Sequence, residues 1–399
     1  MPHNVAMVHN DDWFLYRFRS PLLRKLKSRG CTVFAVAPAG RAVSAFEQEE
    51  IGFIDWPLSR GSLNPFTEIL RVLTLWRIYR KTKTQLAQHF TVKPNIYGPI
   101  AARLAGVPVI LSSVEGLGYL FTSKDFKAAL IRPIVTALYR LAFALTDAVV
   151  FQNRDDISVL RGLGLLPQSK VRHIPGGVGV NTTVFSPEAV DADTKRKLRR
   201  SIGLPDSGLI VVLAARMLWH KGVAEFVECA RVLTQKKDTH FLLVGPIDTG
   251  NPAAIPIETL HEWDQTGIIT YLGEREDIRE ILALSDLLLL PSFYREGTPT
   301  ILVEGAAMGK PIVTTDFPGC REVVEHGVNG LLVPPNNTLA LTCAVEKLLD
   351  SPKLRGQFAD AGRRRAVAEF DESKINARFM ELYNTLLVQK GLQALPEEM

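Results

Sequence analysis

Two glutamates flank a turn in the second half of the chain. Glu296 stands directly before the turn at 297–300, and Glu304 follows shortly after it. Carboxylates suit a sugar, because their oxygens accept hydrogen bonds and the neighbouring hydroxyls of a sugar donate them. The alternative is that Glu304 supports a capping network and Glu296 is a solvated loop charge. Two acids around one turn are unusual for a merely structural loop, so the pair indicates a binding site.

The turn joins an apolar run to a helical segment. The run 287–290 ends at Pro291. Either Thr298 or Thr300 is placed to cap the helix that carries Glu304. The N-terminus of a helix presents N–H groups and the positive end of its dipole, which together bind anions. A diphosphate beside the two carboxylates fits this arrangement.

Two cations follow another apolar run. Arg216 and Lys221 come after the run 209–215. Cations beyond the carboxyl end of a strand could neutralise the charge that grows on a departing nucleoside diphosphate. Without the glutamate pair, an ordinary surface Arg and Lys at a helix start would be the simpler interpretation. With the pair, phosphate binding is favoured.

The elements that must position these groups are short buried strands that alternate with helical segments. Continuous apolar runs of this length indicate parallel strands covered by helices on both faces. The pattern occurs twice, so we predict an α/β protein with two doubly wound parallel sheets and a ligand site at the carboxyl ends of the strands. The expected strands are 5–8, 32–38, 107–114 and 148–153 in the first half, and 209–215, 241–245, 268–273, 287–292, 311–316 and 330–334 in the second.

The junction between the two domains is predicted near residue 186. The glycine-rich segment 175–181 is followed by a polar, charged stretch at 187–200, which separates the two series of strands. A chain of 399 residues is long enough for two domains. We therefore expect domains at 1–186 and 187–371.

These motifs carry a resemblance to a known family. The spacing Glu296-x7-Glu304, together with the stretches 309–311 and 319–334, resembles the donor-site signature of retaining GT-B glycosyltransferases of the family 4 type. The resemblance implies two Rossmann-like domains that face each other across a cleft. It also implies a C-terminal helix within 372–399 that packs back on the first domain.

The resemblance assigns a role to each residue of the site. Glu304 would bind the ribose hydroxyls of a UDP-sugar, and Glu296 would contact the transferred hexose. Arg216 and Lys221 would hold the diphosphate, which itself helps to deprotonate the acceptor, so no metal ion or other cofactor is expected. The remaining donor contacts would come from Arg275 near the nucleobase and from the turn, Gly297, Thr298, Pro299 and Thr300.

Motifs of the first half resemble a narrower group, the bacterial enzymes that extend polyprenyl-diphosphate-linked sugars for O-antigen, capsule or protein-glycan assembly. The implied acceptor is a polyprenyl-diphosphate-linked saccharide, with Arg17 and Arg19 placed to hold its diphosphate. The motifs lie at 10–23, 92–108, 115–121 and 151–156.

Two features of the first half depart from the wider family. Many relatives have a Gly-Gly loop after the first strand, and this chain has none there. Many also have a histidine near the reacting sugar in the loop that corresponds to 112–116, and this loop contains no histidine. Glu115 in that loop could act on the acceptor, or it could be a structural acid. No general base is therefore assigned.

Charge divides unevenly along the chain. Residues 1–186 hold 23 Lys and Arg against 12 Asp and Glu, a net charge of +11, and the rest holds 24 against 30, a net charge of −6. A basic amphipathic helix with aromatic residues binds an anionic membrane, and each cation adds about 1 kcal/mol. The alternative is an ordinary helix whose apolar stripe packs on a sheet. Cations cluster from Arg60 to Arg103, beside the predicted stripe Ile69, Leu70, Leu73, Trp76 and Tyr79.

Location is indicated by three further features. The start of the chain lacks a charged segment followed by an apolar one, so no secretory signal is expected. The apolar segment 130–151 contains Arg132, Arg140 and Asp147, which indicates a packed helix that leads into a strand. Four distant cysteines indicate neither a zinc site nor disulfides. We expect a cytoplasmic enzyme, peripheral on the inner face of the cytoplasmic membrane.

Two other functions fit parts of the pattern. A nucleotide-sugar epimerase has the same two-domain architecture and would consume its donor without an acceptor. A non-enzymatic protein that binds nucleic acid or a membrane would explain the basic half. Its cations, however, are not interleaved with a recognisable nucleic-acid-binding pattern, so we expect no nucleic acid partner.

Overall fold

A computed structural model describes residues 3–58, 64–117 and 126–397 of the chain. The chain divides into two compact units. The first consists of residues 1–178 and 373–399, and the second of residues 179–372. Each unit is built on its own parallel sheet, as the repeated pattern of apolar runs predicts.

The sheet of the first unit has seven parallel strands in the order β3-β2-β1-β4-β5-β6-β7. Four of them, β1, β2, β5 and β6, confirm the predicted strands. The other three lack a continuous apolar run: β3 and β7 are short edge strands, and Gln88 and His89 interrupt β4. The strands are β1 (Asn4–Val8), β2 (Thr32–Ala37), β3 (Gly52–Asp55), β4 (Leu86–Phe90), β5 (Val109–Val114), β6 (Ala148–Phe151) and β7 (Val171–His173).

Helices cover both faces of this sheet. Alternate residues of β1 enter different cores, with Val5 packed among residues of α1 and Ala6 packed among residues of α3 and α4. The apolar segment 130–151 is a packed helix, α5, followed by β6, as predicted. The helices are α1 (Asp12–Ser28), α2 (Val43–Gln48), α3 (Pro65–Thr82), α4 (Val92–Ala105), α5 (Phe126–Leu145) and α6 (Arg154–Gly162).

The helix α3 has a different apolar stripe from the predicted one. Leu75, Ile78 and Tyr79 are buried, whereas Phe66 is 80% exposed and Ile69 is 58% exposed. The predicted stripe is too wide for one face, because Leu70 and Tyr79 lie on opposite sides of a helix with 3.6 residues per turn. The solvent-facing side, called here the outer face of α3, consists of Phe66, Ile69, Leu70, Leu73, Arg77, Arg80 and Lys81.

The sheet of the second unit has six parallel strands in the order β10-β9-β8-β11-β12-β13. All six strands predicted for this half are present. They form one continuous core with the helices on both sides. The strands are β8 (Leu209–Ala214), β9 (Thr239–Val244), β10 (Thr270–Tyr271), β11 (Leu287–Leu290), β12 (Ile312–Thr315) and β13 (Gly330–Val333).

The charged stretch 187–200 is not an open linker. It contains the 3-10 turn Pro187–Ala189 and most of α7, whose N-terminus is capped because Asp191 accepts a hydrogen bond from the Thr194 N–H over 2.7 Å. The helices of this unit are α7 (Ala192–Ser201), α8 (Val223–Leu233), α9 (Ile257–Gln265), α10 (Ile278–Leu284), α11 (Thr300–Ala307), α12 (Cys320–Val323), α13 (Thr338–Leu349) and α14 (Pro352–Arg365).

The last helix returns to the first unit. This helix, α15 (Glu372–Gln389), contributes Phe379 and Tyr383 to the core formed by α1 and the first sheet. The Tyr383 hydroxyl donates to the buried Gln88 of β4. Just after α15, the Lys390 ammonium lies 2.6 Å from an oxygen of Asp147. The helix α15 is therefore part of the first folded unit.

Candidate functional site

The candidate site lies at the carboxyl ends of β8 and β11 in the second unit. These strands are neighbours and pair in parallel, with Leu287 opposite Val211. The loop after β8 carries Arg216 and Lys221, and the loop after β11 carries Glu296. Parallel neighbours end at the same edge of a sheet, so residues that are distant in sequence meet there.

Lys221 and Glu296 form a largely buried ion pair. Lys221 is 6% exposed and ends a 3-10 turn, Trp219–Lys221, from which its ammonium donates a hydrogen bond to Glu296 Oε1. The backbone holds this turn against the loop after β11, since the Phe293 N–H donates to the carbonyl of His220 over 2.9 Å. Two of the predicted catalytic residues are therefore in direct contact.

Gly222 allows the two loops to approach so closely. Its φ is +77°, in the left-handed region, and a Cβ placed on it would lie 2.3 Å from the carbonyl oxygen of Pro291. A side chain at this position is excluded by both the backbone conformation and the neighbouring backbone. The position of Lys221 beside Glu296 thus depends on the glycine that follows it.

Arg216 forms an ion pair in the same cluster. Its guanidinium donates to Asp248 Oδ2 over 2.7 Å, and the Tyr294 side chain lies close to it. Burial raises the pKa of Tyr294, so its hydroxyl stays protonated at neutral pH. The Lys221 ammonium lies 5.7 Å from the centre of the Tyr294 ring. Tyr294 is therefore close to both cations.

The predicted donor turn is fixed by a second glycine contact. Gly319 has a φ of +84°, and a Cβ placed on it would lie 2.9 Å from the carbonyl oxygen of Glu296 and 2.8 Å from that of Gly297. The turn is largely buried and leads directly into α11. Its members are Gly297, Thr298, Pro299 and Thr300.

The helix α11 begins at Thr300 and buries Glu304, which is 8% exposed. The prediction that Thr298 or Thr300 caps this helix is wrong: the N-cap residue is Pro299, which makes no side-chain hydrogen bond. Its ring fixes φ, here −64°, and so directs the chain into the helix without a capping side chain. The N-terminus of α11, which is the positive end of its dipole, follows shortly after Glu296 in the chain.

Arg275 lies at another part of the same sheet edge. It follows β10, which is separated from β8 by β9. Its guanidinium binds Asp277, with Nε donating over 2.8 Å. Among the described contacts, Arg275 therefore joins Asp277 and not the Lys221–Glu296 pair.

The predicted acceptor residues lie in the first unit. Arg19, on α1, is 3% exposed, donates to Glu115 and lies 4.5 Å from the centre of the Phe90 ring. His9, which follows β1, lies 3.9 Å from Glu115 through its Nε2 atom. Arg17 is exposed on the same helix. The structure brings Arg19 and Glu115 together and leaves Arg17 on the surface.

Sequence reasoning missed two residues of these clusters, His9 and Asp248. Burial lowers the pKa of His9, so its imidazole is neutral near pH 7 although Glu115 opposes the shift. Each residue follows a parallel strand, and that position could have revealed both, but neither belongs to a motif with a recognisable spacing. Parts of two predictions lie outside the described residues, namely the segment 118–121 and Arg60.

Two properties concern the whole described chain. Among residues 3–58, 64–117 and 126–397, no group of three or more His, Cys, Asp or Glu side chains is arranged to hold a metal ion. No helix within those ranges combines the length and the apolar composition that crossing a bilayer requires.

The chain is similar to known glycosyltransferases over nearly its whole length. Residues 4–153 match the family model for glycosyl transferase 4-like proteins, and residues 194–365 match that for glycosyl transferases group 1. It is 34% identical over 373 residues to the N,N'-diacetylbacillosaminyl-diphospho-undecaprenol alpha-1,3-N-acetylgalactosaminyltransferase of Campylobacter jejuni, covering 94% of this chain and 96% of that protein.

A second relative and a solved structure extend the comparison. The chain is 26% identical to the UDP-Gal:alpha-D-GlcNAc-diphosphoundecaprenol alpha-1,3-galactosyltransferase of Escherichia coli, with 80% of each chain covered. The crystal structure of a glycosyltransferase from Rickettsia africae is similar with a TM-score of 0.80 at 20% identity, over 97% of this chain and 99% of that one.

Proposed function

We propose that this chain, which belongs to the group 1, family 4-like glycosyltransferases with a GT-B fold, is a transferase with a lipid-linked acceptor. It uses a UDP-sugar to extend a polyprenyl-diphosphate-linked saccharide. The transferred group is a hexose or N-acetylhexosamine, and its anomeric configuration is retained. The names of the two relatives, both diphosphoundecaprenol glycosyltransferases, support this acceptor class. The observation that carries the proposal is the largely buried Lys221–Glu296 pair, at the same sheet edge as Arg216.

The donor is assigned to the edge formed by β8 and β11. Arg216 and Lys221 hold the diphosphate and neutralise the charge that develops as the sugar departs. Glu296 contacts the transferred sugar, and Glu304 binds the ribose hydroxyls. The first-turn N–H groups of α11 and the turn 297–300 line the phosphates. Arg275, held by Asp277, is assigned to the nucleobase end.

The acceptor is assigned to the first unit, with a changed role for Arg19. Because Arg19 is buried against Glu115, it orients that carboxylate and does not reach out to a phosphate. Glu115 is the group that contacts the accepting sugar. Arg17 is exposed and is assigned to the acceptor diphosphate.

The reaction class is tested by measuring whether UDP release depends on the acceptor. The protein is incubated with each UDP-sugar of a panel, with and without a polyprenyl-diphosphate saccharide, and both UDP and sugar products are measured. Stoichiometric UDP release that requires the acceptor supports the transferase. Conversion of the donor without acceptor would identify an epimerase instead, and no conversion of any UDP-sugar would contradict the proposed donor.

The outer face of α3 supports peripheral binding to an anionic membrane. Its first half is apolar and its second half is cationic, ending in Arg77, Arg80 and Lys81. The helix packs beside α4, which in turn packs against α5, where Leu130 is 68% exposed and Ile134 is 63% exposed. Exposed apolar side chains on α3 and α5 suit a lipid surface, and the +11 charge of residues 1–186 complements anionic headgroups.

We predict that the double variant Arg77→Gln, Lys81→Gln binds phosphatidylglycerol-containing vesicles at least about tenfold more weakly than the wild type. Each exposed cation near an anionic surface contributes about 1 kcal/mol, and both side chains lie on the outer face of α3. Vesicle flotation measures the partition coefficient. The control, Arg196→Gln, Lys197→Gln on α7, removes the same charge from the second unit and should bind almost as wild type.

Three results would contradict the membrane proposal. The first is equal vesicle binding by the outer-face variant and the wild type. The second is equal binding of the wild type to neutral phosphatidylcholine vesicles and to anionic vesicles. The third is tighter binding of the wild type to duplex DNA than to anionic vesicles. The last result would favour a nucleic acid partner.

A further inference from the structure

Both cations assigned to the donor diphosphate have a carboxylate partner within the protein. Lys221 pairs with Glu296, and Arg216 pairs with Asp248 at 2.7 Å. The Arg216 and Asp248 side chains are 30% and 21% exposed, so the pair is partly screened by solvent. The formal charges of these four residues sum to zero. A dianionic ligand therefore meets a site whose positive charges are already balanced.

The backbone, and not the ion pair, places Asp248 beside Arg216. The loop after β9 is joined to the loop after β8 by hydrogen bonds from the Met217 N–H to the Pro246 carbonyl and from the Ile255 N–H to the Met217 carbonyl, both 2.9 Å. Gly245 makes this contact possible, since a Cβ on it would lie 1.8 Å from the Ala215 carbonyl oxygen. The loop should keep its position when the Asp248 charge is removed.

We propose that Asp248 is an internal competitor of the donor diphosphate, whose carboxylate binds Arg216 and is displaced by a phosphate oxygen when a nucleoside diphosphate binds. Carboxylate and phosphate offer the same partner to a guanidinium, an anionic oxygen that accepts charge-assisted hydrogen bonds. Asp248 therefore weakens the binding of both the donor and the nucleotide product, and it speeds the release of the product. This inference rests on the proposed function of the site.

The competitor model makes a prediction opposite to that of a supporting role. If Asp248 competes with phosphate, its replacement tightens nucleotide binding. If it serves only to orient Arg216, its replacement weakens nucleotide binding, because the cation loses its support. The sign of the change therefore separates the two roles.

The experiment is isothermal titration of the full chain with UDP and with uridine. Asp248→Asn should bind UDP about fivefold more tightly than the wild type, the effect expected of a partly exposed ion pair, while uridine affinity is unchanged. Asparagine keeps an oxygen that accepts a hydrogen bond from Arg216. The matched control, Asp193→Asn on the solvent-exposed α7, removes the same charge and should bind UDP as the wild type does.

A double-mutant cycle shows whether the effect passes through Arg216. In an Arg216→Gln background, Asp248→Asn should change the UDP dissociation constant by less than about twofold, because the competition is already absent. Unchanged or weaker UDP binding by Asp248→Asn alone overturns the inference. Equal tightening in the Arg216→Gln background also overturns it. Lack of UDP binding by the wild type is a separate result, which overturns the proposed function itself.

Discussion

Sugar transfer by the Glu296→Gln variant is expected to be about a thousandfold slower in kcat than by the wild type. Positive charge develops on the transferred sugar in the transition state, and removing one placed electrostatic group costs about a hundredfold to a thousandfold in rate. Glutamine keeps the size of the side chain and an oxygen that accepts the hydrogen bond of Lys221. Alanine would instead remove that acceptor as well as the charge, and leave the buried ammonium without the hydrogen bond to residue 296.

The measurement is steady-state UDP release with saturating donor and acceptor, together with the midpoint of urea unfolding. The control is Glu325→Gln, which makes the same chemical change at an exposed position of the second unit and should leave kcat within about twofold. If the Glu296→Gln enzyme keeps at least a third of the wild-type kcat, Glu296 has no role in the transfer reaction.

The second large effect is expected from Gly222→Ala, which should lower kcat about a hundredfold. The added methyl group would meet the backbone of Pro291, so the turn that carries Lys221 must move away from the loop that carries Glu296. Displacement of a reacting group by about 1 Å can cost a hundredfold in rate. The same change also adds strain, because alanine rarely adopts a positive φ.

Gly267→Ala separates these two causes. Gly267 has a similar φ of +71°, but a Cβ placed on it has no neighbour within 4 Å. Both variants should lose about 1 to 2 kcal/mol of stability from backbone strain, and only Gly222→Ala should also lose activity. Equal kcat values for the two variants would show that the contact with Pro291 does not position Lys221.

The second unit could be predicted from sequence in most of its detail. Its six strands are short, largely apolar runs, and Arg216, Lys221 and Glu296 lie in the loops that follow two of them. Parallel strands end at the same edge, so a site at that edge could be predicted. The assignment of these three side chains to one donor site came from the family resemblance, because the sequence does not show that β8 and β11 are neighbours. The GT-B fold and the glycosyltransferase family followed from the same motifs.

The misses have local physical causes. The strand β4 is buried but carries Gln88 and His89, which find partners in Tyr383 and Tyr79, so its sequence does not look apolar. The choice of Asp248 as the partner of Arg216 depends on loop contacts, for which the sequence contains no periodic signal. The outer face of α3 was misjudged because exposed apolar residues resemble buried ones in sequence.

The most direct test of the central claim is the identity of the extended acceptor. A short-chain polyprenyl-diphosphate saccharide is incubated with the UDP-sugar that supports UDP release, and the product is analysed by mass spectrometry and by NMR of the new anomeric centre. The account predicts an acceptor extended by one hexose or N-acetylhexosamine residue with the anomeric configuration of the donor, formed by Glu296→Gln about a thousandfold more slowly than by the wild type. An inverted linkage, or equal product from both proteins, would contradict it.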